Sequence, residues 1–180
     1  MSALGSGPMD TSFRSRASFG RRIEYWIIGQ MLKHRLDVYV PLVDDFGIDA
    51  IIRKSDGTFI EVQIKARSEN VRYGSAARFS AISHPEKRDN YFFIFYSEIL
   101  KSTWILSSEE FIDEARQNKS GKNQGKRSIV FGLTRNQGST GGHREVKNTK
   151  FDKYLDDNFS RFREAGAVVM PETPSQNDEI

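Results

Sequence analysis

Asp49, Glu61, Gln63 and Lys65 are the residues whose types and spacing could do chemistry. They lie in the stretch FGIDAIIRKSDGTFIEVQIKAR, Phe46 to Arg67, which reads as two strands and a tight turn. Ser55-Asp56-Gly57 separates two apolar-alternating runs. A three-residue hairpin loop wants a left-handed residue at its third position, and Gly57 supplies it without steric cost. Closing the loop with Lys54 opposite Thr58 puts Ile51 opposite Glu61 and Asp49 opposite Gln63. Side chains alternate along a strand and opposed residues share a face. One face then carries Asp49, Ile51, Arg53, Phe59, Glu61, Gln63 and Lys65. The other carries Ala50, Ile52, Ile60, Val62 and Ile64, and is expected to look into a core. The first face sets two acids, an amide and a lysine side by side, hard oxygen donors suited to a divalent cation with an amine next to them. The plainer reading is a half-exposed hairpin whose wet face carries favourable cross-strand charges. A two-residue loop would break the register and set Asp49 opposite Ile64. Asp49, between Ile48 and Ala50, is costly to bury partly unless a metal or lysine compensates.

The elements ahead of the hairpin must position it. Ser18 to about Leu36 reads as a helix with Ser18 as N-cap and Phe19, Ile23, Trp26, Ile27 and Met31 as its apolar stripe. Glu24 sits beside that stripe, either as an ordinary boundary glutamate or as a third carboxylate. Val38 to Val43 reads as a strand, with Pro41 pointing to an edge. Asp44 and Asp45 read as turn formers. Gly47 would let the chain bend ahead of Asp49.

Asp49, a hairpin and then Glu61-Val62-Gln63-Ile64-Lys65 resemble the core of the PD-(D/E)XK nuclease superfamily. Gly20-Arg21-Arg22-Ile23-Glu24 resembles that family's first helix, which often presents a glutamate to the metal. The sub-group with Gln-x-Lys in place of Glu-x-Lys, as in Mrr-type restriction endonucleases, is the nearest pattern, and Holliday junction resolvases are more distant. The resemblance covers roughly Ser18 to Arg67. It implies an α/β fold with a restriction-endonuclease-like central mixed β-sheet flanked by helices. It also implies metal-dependent hydrolysis of phosphodiester bonds, most simply in DNA, with Mg2+ or Mn2+. In that scheme Asp49 anchors the metal, Glu24 binds it directly or through water, and Gln63 offers a carbonyl oxygen where the family has its second acid. Lys65 orients or polarises the attacking water, or stabilises developing negative charge. Glu61 either restores the missing carboxylate as a metal ligand or points outward.

Charge beyond the hairpin suits a nucleic acid, since phosphate contacts dominate affinity for one. Arg67 and Arg72 lead away from the acidic site, Arg21 belongs to a basic N-terminal cluster, and Lys122, Lys126 and Arg127 lie in the Gly- and Lys-rich stretch KSGKNQGKRS. That stretch is expected to be mobile without a partner. Phe79 to Ile82 and Ile129 to Leu133 read as strands. Tyr91 to Tyr96 is the most apolar run and reads as a central strand buried on both sides, with Thr103 to Leu106 pairing antiparallel to it. Ser107 and Glu110 form a capping box for a helix from about Ser108 to Asn118. Thr134 to Lys150 reads as a long basic loop. Phe151 to about Ala165 reads as a closing helix ended by Gly166, and Ala167 to Met170 as a short strand.

The chain of 180 residues, with 37% hydrophobic residues, suits one domain. Residues 1–12 are expected to be a disordered start, 13–170 the domain, and 171–180 a disordered tail. No cysteine is present, which excludes disulfides and thiolate zinc sites and fits a reducing, cytoplasmic setting. No run of about 18 apolar residues exists to span a membrane, and residues 1–17 lack the apolar core of a secretory signal. A net charge of +3 permits nucleic-acid binding without demanding it. Because cutting two strands usually needs two sites, a homodimer is the assembly in view. The competing reading is a catalytically inactive nucleic-acid-binding or assembly subunit on the same fold, favoured by Gln63 in place of an acid.

Overall fold

A computed structural model of the protein describes residues 16–43, 46–71, 75–137 and 143–163. The expectations for the two termini, for Asp44 and Asp45, for Arg72, for Gly166 and for a strand at 167–170 lie outside the described residues.

The first helix, α1, spans Arg16–Lys33. It stops three residues earlier than its apolar pattern suggests. Arg35 takes a left-handed φ of 63°. The Arg35 N–H then bonds the Leu32 carbonyl at 2.9 Å and the Leu36 N–H bonds that of Met31 at 3.1 Å. These are the two bonds of a Schellman cap, here with arginine where glycine is usual.

The strands β1 (Asp37–Tyr39), β2 (Ala50–Arg53), β3 (Phe59–Arg67), β5 (Tyr91–Ser97) and β6 (Ser102–Ser107) form a five-stranded sheet in the order β1-β2-β3-β5-β6. The hairpin register is the expected one: Ile51 faces Glu61 and Arg53 faces Phe59. The Lys54 N–H bonds the Thr58 carbonyl at 2.8 Å, and Gly57 has φ +83°. Asp56 Oδ1 tightens the turn by accepting the N–H of Thr58 at 2.8 Å. β3 and β5 run parallel, with Gln63 beside Phe93 and Lys65 beside Phe95, whereas the other neighbours are antiparallel. The sheet is therefore mixed, as the resemblance implies. β1 is its edge, and it ends before Pro41.

Alternation along β5 separates two cores. Tyr91, Phe93 and Phe95 face one side with Trp104, Leu106 and Phe111, while Ile94 faces the other with Val62, Ile64 and Ile105. On the second side Ile27, Ile28 and Met31 of α1 close over the apolar face of the hairpin. The first side is covered by α2 (Ser108–Glu114) and by a second sheet. That sheet has the order β4-β8-β7, from β4 (Arg78–Ile82), β8 (Arg127–Val130) and β7 (Arg116–Gln117). Phe79 of β4 packs on Phe95 with ring centroids 4.9 Å apart, and Phe111 packs on Phe93 at 4.3 Å. The capping box of α2 is present: Glu110 N–H bonds Ser107 Oγ at 3.2 Å and Ser107 N–H bonds Glu110 Oε2 at 2.7 Å.

Three expectations are corrected. The helix expected to reach Asn118 stops at Glu114, and Arg116–Gln117 pairs with β8 instead. Thr134 to Lys150 is largely a hairpin, β9 (Gly132–Gln137) paired with β10 (His143–Asn148), rather than a loop. Over the described part of the expected closing helix, 151–163, the chain is not continuously helical but forms 3-10 turns at Thr149–Tyr154 and Ser160–Phe162. Phe159 between them is left-handed, and the Asp156 carboxylate caps the second turn by accepting the N–H groups of Ser160 and Arg161 at 2.9 and 2.8 Å. Phe159 and Phe162 still reach the core under α1.

Candidate active site

Where β2 begins, the hairpin ladder goes out of step. Ala50 is the partner of Val62, yet the Asp49 N–H also addresses the Val62 carbonyl, at 2.8 Å. Asp49 Oδ2 then accepts the N–H of Ile64 at 2.7 Å. The residue thus brackets Gln63, with its backbone on one neighbour and its carboxylate on the other. This follows from strand lengths: β3 continues to Arg67, but β2 pairs with it only as far as Val62. The Asp49 side chain takes the ladder position that β2 leaves empty. Asp49 is 7% exposed. A carboxylate has roughly four lone-pair positions, so it can serve the Ile64 N–H and a cation at once.

Gln63 and Lys65 are half-buried on the face of β3 opposite the hairpin's apolar residues. Gln63 lies over the bare Cα of Gly47. A Cβ there would stand 2.2 Å from Gln63 Nε2 and 3.7 Å from the Tyr91 hydroxyl. Gly47 has φ +70°, so the bend expected ahead of Asp49 is present. The Tyr91 hydroxyl donates to the Gly47 carbonyl at 2.8 Å, and Arg88 Nη1 donates to that of Phe46 at 3.3 Å. Arg88 lies over the Tyr91 ring, 4.0 Å from its centroid, and pairs with Glu61.

The three candidate carboxylates are not brought together. Glu61 is engaged by Arg88, and Glu24, on α1, stands 3.2 Å from Arg21 Nη1. Among the described residues no group of three or more His, Cys, Asp or Glu could hold a metal. The oxygen donors that remain as candidates are the Asp49 carboxylate and the Gln63 amide, on residues made neighbours by the bonds of Asp49 to Val62 and Ile64. That set fits a hard cation held by few protein ligands and several waters, which is how Mg2+ is usually bound. It does not fit a closed carboxylate cage.

The basic residues divide. Arg67 ties β3 to β4 through a bond from its Nε to the Arg78 carbonyl, with its guanidinium 5.8 Å from the Phe79 centroid. Arg127 turns inward, where its donors reach the carbonyls of His84 at 3.3 Å and Ile112 at 3.0 Å. It anchors the end of α2 through these carbonyls. Arg21 and Lys122 are exposed and Lys126 is half-buried. The loop carrying the two lysines is closed by its own backbone: Asn118 N–H bonds the Lys126 carbonyl at 2.8 Å and Gly125 N–H bonds that of Asn118 at 2.9 Å.

Three residues around the site, Arg88, Tyr91 and His84, carry no mark in the sequence pattern. His84 is 4% exposed, ring-stacked on Tyr91 and bonded through Nε2 to Ser108 Oγ at 2.7 Å. Burial, then the charges of Arg88 and Arg127, push its pKa down from 6.5 to about 4. A histidine in a polar connection shows no periodicity, so no pattern could have marked it as buried. For Arg88 and Tyr91 the signal is the parallel pairing of Glu61 with Tyr91, which needs the strand order.

No family model matches the chain, and no curated protein does. Among solved structures it is similar to a bacterial homing endonuclease, I-Ssp6803I, with a TM-score of 0.56 and 16% identity. The match covers 84% of this chain and 96% of that one. At that identity the likeness concerns the fold alone: this chain shares the fold of that structure.

Proposed function

We propose that the chain is a metal-dependent nuclease of the PD-(D/E)XK type that hydrolyses phosphodiester bonds in DNA. The observation that carries this reading is the placement of Asp49 around Gln63, two residues from Lys65 on one face of β3, within a nuclease-like fold. Asp49 and Gln63 would hold Mg2+ or Mn2+. When bound, such an ion supplies charge stabilisation to the phosphoryl oxygens and lowers the pKa of a bound water. Asp49 contributes the negative charge of the site and is itself held by the Ile64 N–H. Lys65 orients the water and stabilises negative charge as it develops. Arg21, Lys122 and Lys126 supply phosphate contacts away from the reacting bond, and a homodimer would present two such sites to a duplex.

A second reading, a nucleic-acid-binding subunit without catalysis, is favoured by one specific observation: Glu24 and Glu61 are both engaged by arginines, and among the described residues no group of three or more His, Cys, Asp or Glu could hold a metal. Incubation with supercoiled plasmid, a four-way junction, single-stranded DNA and RNA, each with Mg2+, Mn2+ or EDTA, separates the two. Metal-dependent cleavage of any DNA supports the nuclease. Binding without cleavage on every substrate supports the subunit.

A further inference from the structure

We infer that Gly47, Tyr91 and Arg88 are positioning residues that hold in place the side-chain amide of Gln63, the residue that Asp49 brackets. The inference rests on the reading of Asp49 and Gln63 as metal-holding residues and names what fixes their geometry.

A glutamine side chain has three rotatable bonds, so as a ligand it needs walls. One wall is made by leaving a side chain out. Gln63 Nε2 occupies the space a Cβ at position 47 would need, 2.2 Å from where that atom would stand. Any other residue at 47 must push the amide aside, and the far end of a flexible side chain gives way more readily than a strand. With Nε2 against Gly47, the carbonyl Oε1 is the end farther from that glycine, and it is the oxygen that would serve a hard cation.

The second part of the device fixes Gly47 itself. The loop that carries it enters Asp49 and would move both residues together. Two side chains from the far side of β3 hold it by its carbonyls: Tyr91 on Gly47 at 2.8 Å and Arg88 on Phe46 at 3.3 Å. Both are braced in turn. Tyr91 stands beside Glu61 in the parallel ladder and stacks on His84 with centroids 5.3 Å apart, and Arg88 is held by Glu61. Glu61 therefore acts on the site through Arg88 and the loop. Supports of this kind around a ligand typically change metal affinity or activity by about 10- to 100-fold.

The test is a double-mutant cycle on Mn2+ affinity, read by calorimetry without any nucleic acid. Gly47→Ala is expected to weaken Mn2+ binding on the order of tenfold in the wild-type background. In a Gln63→Ala background it has no amide to displace and leaves the already weakened affinity nearly unchanged. The left-handed strain at position 47 is common to both backgrounds, so it cannot produce that difference. Tyr91→Phe keeps the ring on Arg88 and His84, removes the hydroxyl that bonds the Gly47 carbonyl, and is expected to weaken Mn2+ binding in the same direction. Equal losses for Gly47→Ala in both backgrounds, or unaltered affinity in Tyr91→Phe, would overturn the clamp while leaving the metal reading standing. Wild-type protein that takes up no Mn2+ would overturn the metal reading, and the positioning role with it.

Discussion

Asp49 and Ile64 are joined by a hydrogen bond of 2.7 Å from the backbone N–H of Ile64 to Asp49 Oδ2, across the point where β2 stops pairing with β3. One carboxylate thereby completes a sheet edge and stands beside Gln63. Its structural and chemical contributions can be separated by substitution.

Asp49→Ala removes a buried charged acceptor and leaves the Ile64 N–H unpartnered, a loss of about 1–3 kcal/mol of stability. Asp49→Asn keeps an acceptor oxygen for that N–H and is expected to unfold close to wild type while losing metal binding and cleavage. Chemical denaturation of the two variants beside wild type checks this, and equal destabilisation by both would rule out a structural role for the N–H bond.

His84 makes stability depend on pH. The folded chain keeps it neutral down to about pH 4, whereas the unfolded chain takes up the proton near 6.5. Between those values the unfolded state binds more protons, so this contribution is fully present above about 6.5 and declines as pH falls towards 4. Its full size is on the order of 3 kcal/mol. Denaturation midpoints from pH 7 to pH 4 should show a steeper decline for wild type than for His84→Gln, and parallel curves would contradict the shift.

The basic residues should fall into two classes. Lys122→Ala and Lys126→Ala are expected to leave thermal unfolding unchanged, weaken DNA binding, and reduce its salt dependence by about one unit of slope for each phosphate no longer neutralised. Arg127→Ala is expected to lower the unfolding midpoint, because it strips the carbonyls of His84 and Ile112 of their donor. Binding titrations at several salt concentrations, beside melting curves, distinguish the classes.

The hairpin and its register were legible because Gly57 and strict alternation both specify them, and the two-sided burial of Tyr91 to Tyr96 was legible from composition. What was not legible rests on side chains answering backbone groups. Nothing in the pattern predicts that Arg35 takes the left-handed cap of α1, or that Asp156 and a left-handed Phe159 break the closing segment into 3-10 turns despite its near-helical spacing. The polar β9–β10 hairpin has no apolar alternation to betray it. In the candidate site, residue types pointed to Asp49, Gln63 and Lys65. The capture of Glu61 by Arg88, and the inward turn of Arg127, depend on which strands become neighbours and could not be read from spacing.

The most direct test of the central claim is nicking of supercoiled plasmid with Mg2+ or Mn2+, comparing wild type with Asp49→Ala and Lys65→Ala, all three checked for folding by circular dichroism. Metal-dependent nicking is expected of wild type, and none of either folded variant. Nicking that persists in folded Lys65→Ala or Asp49→Ala at the wild-type rate would contradict that claim.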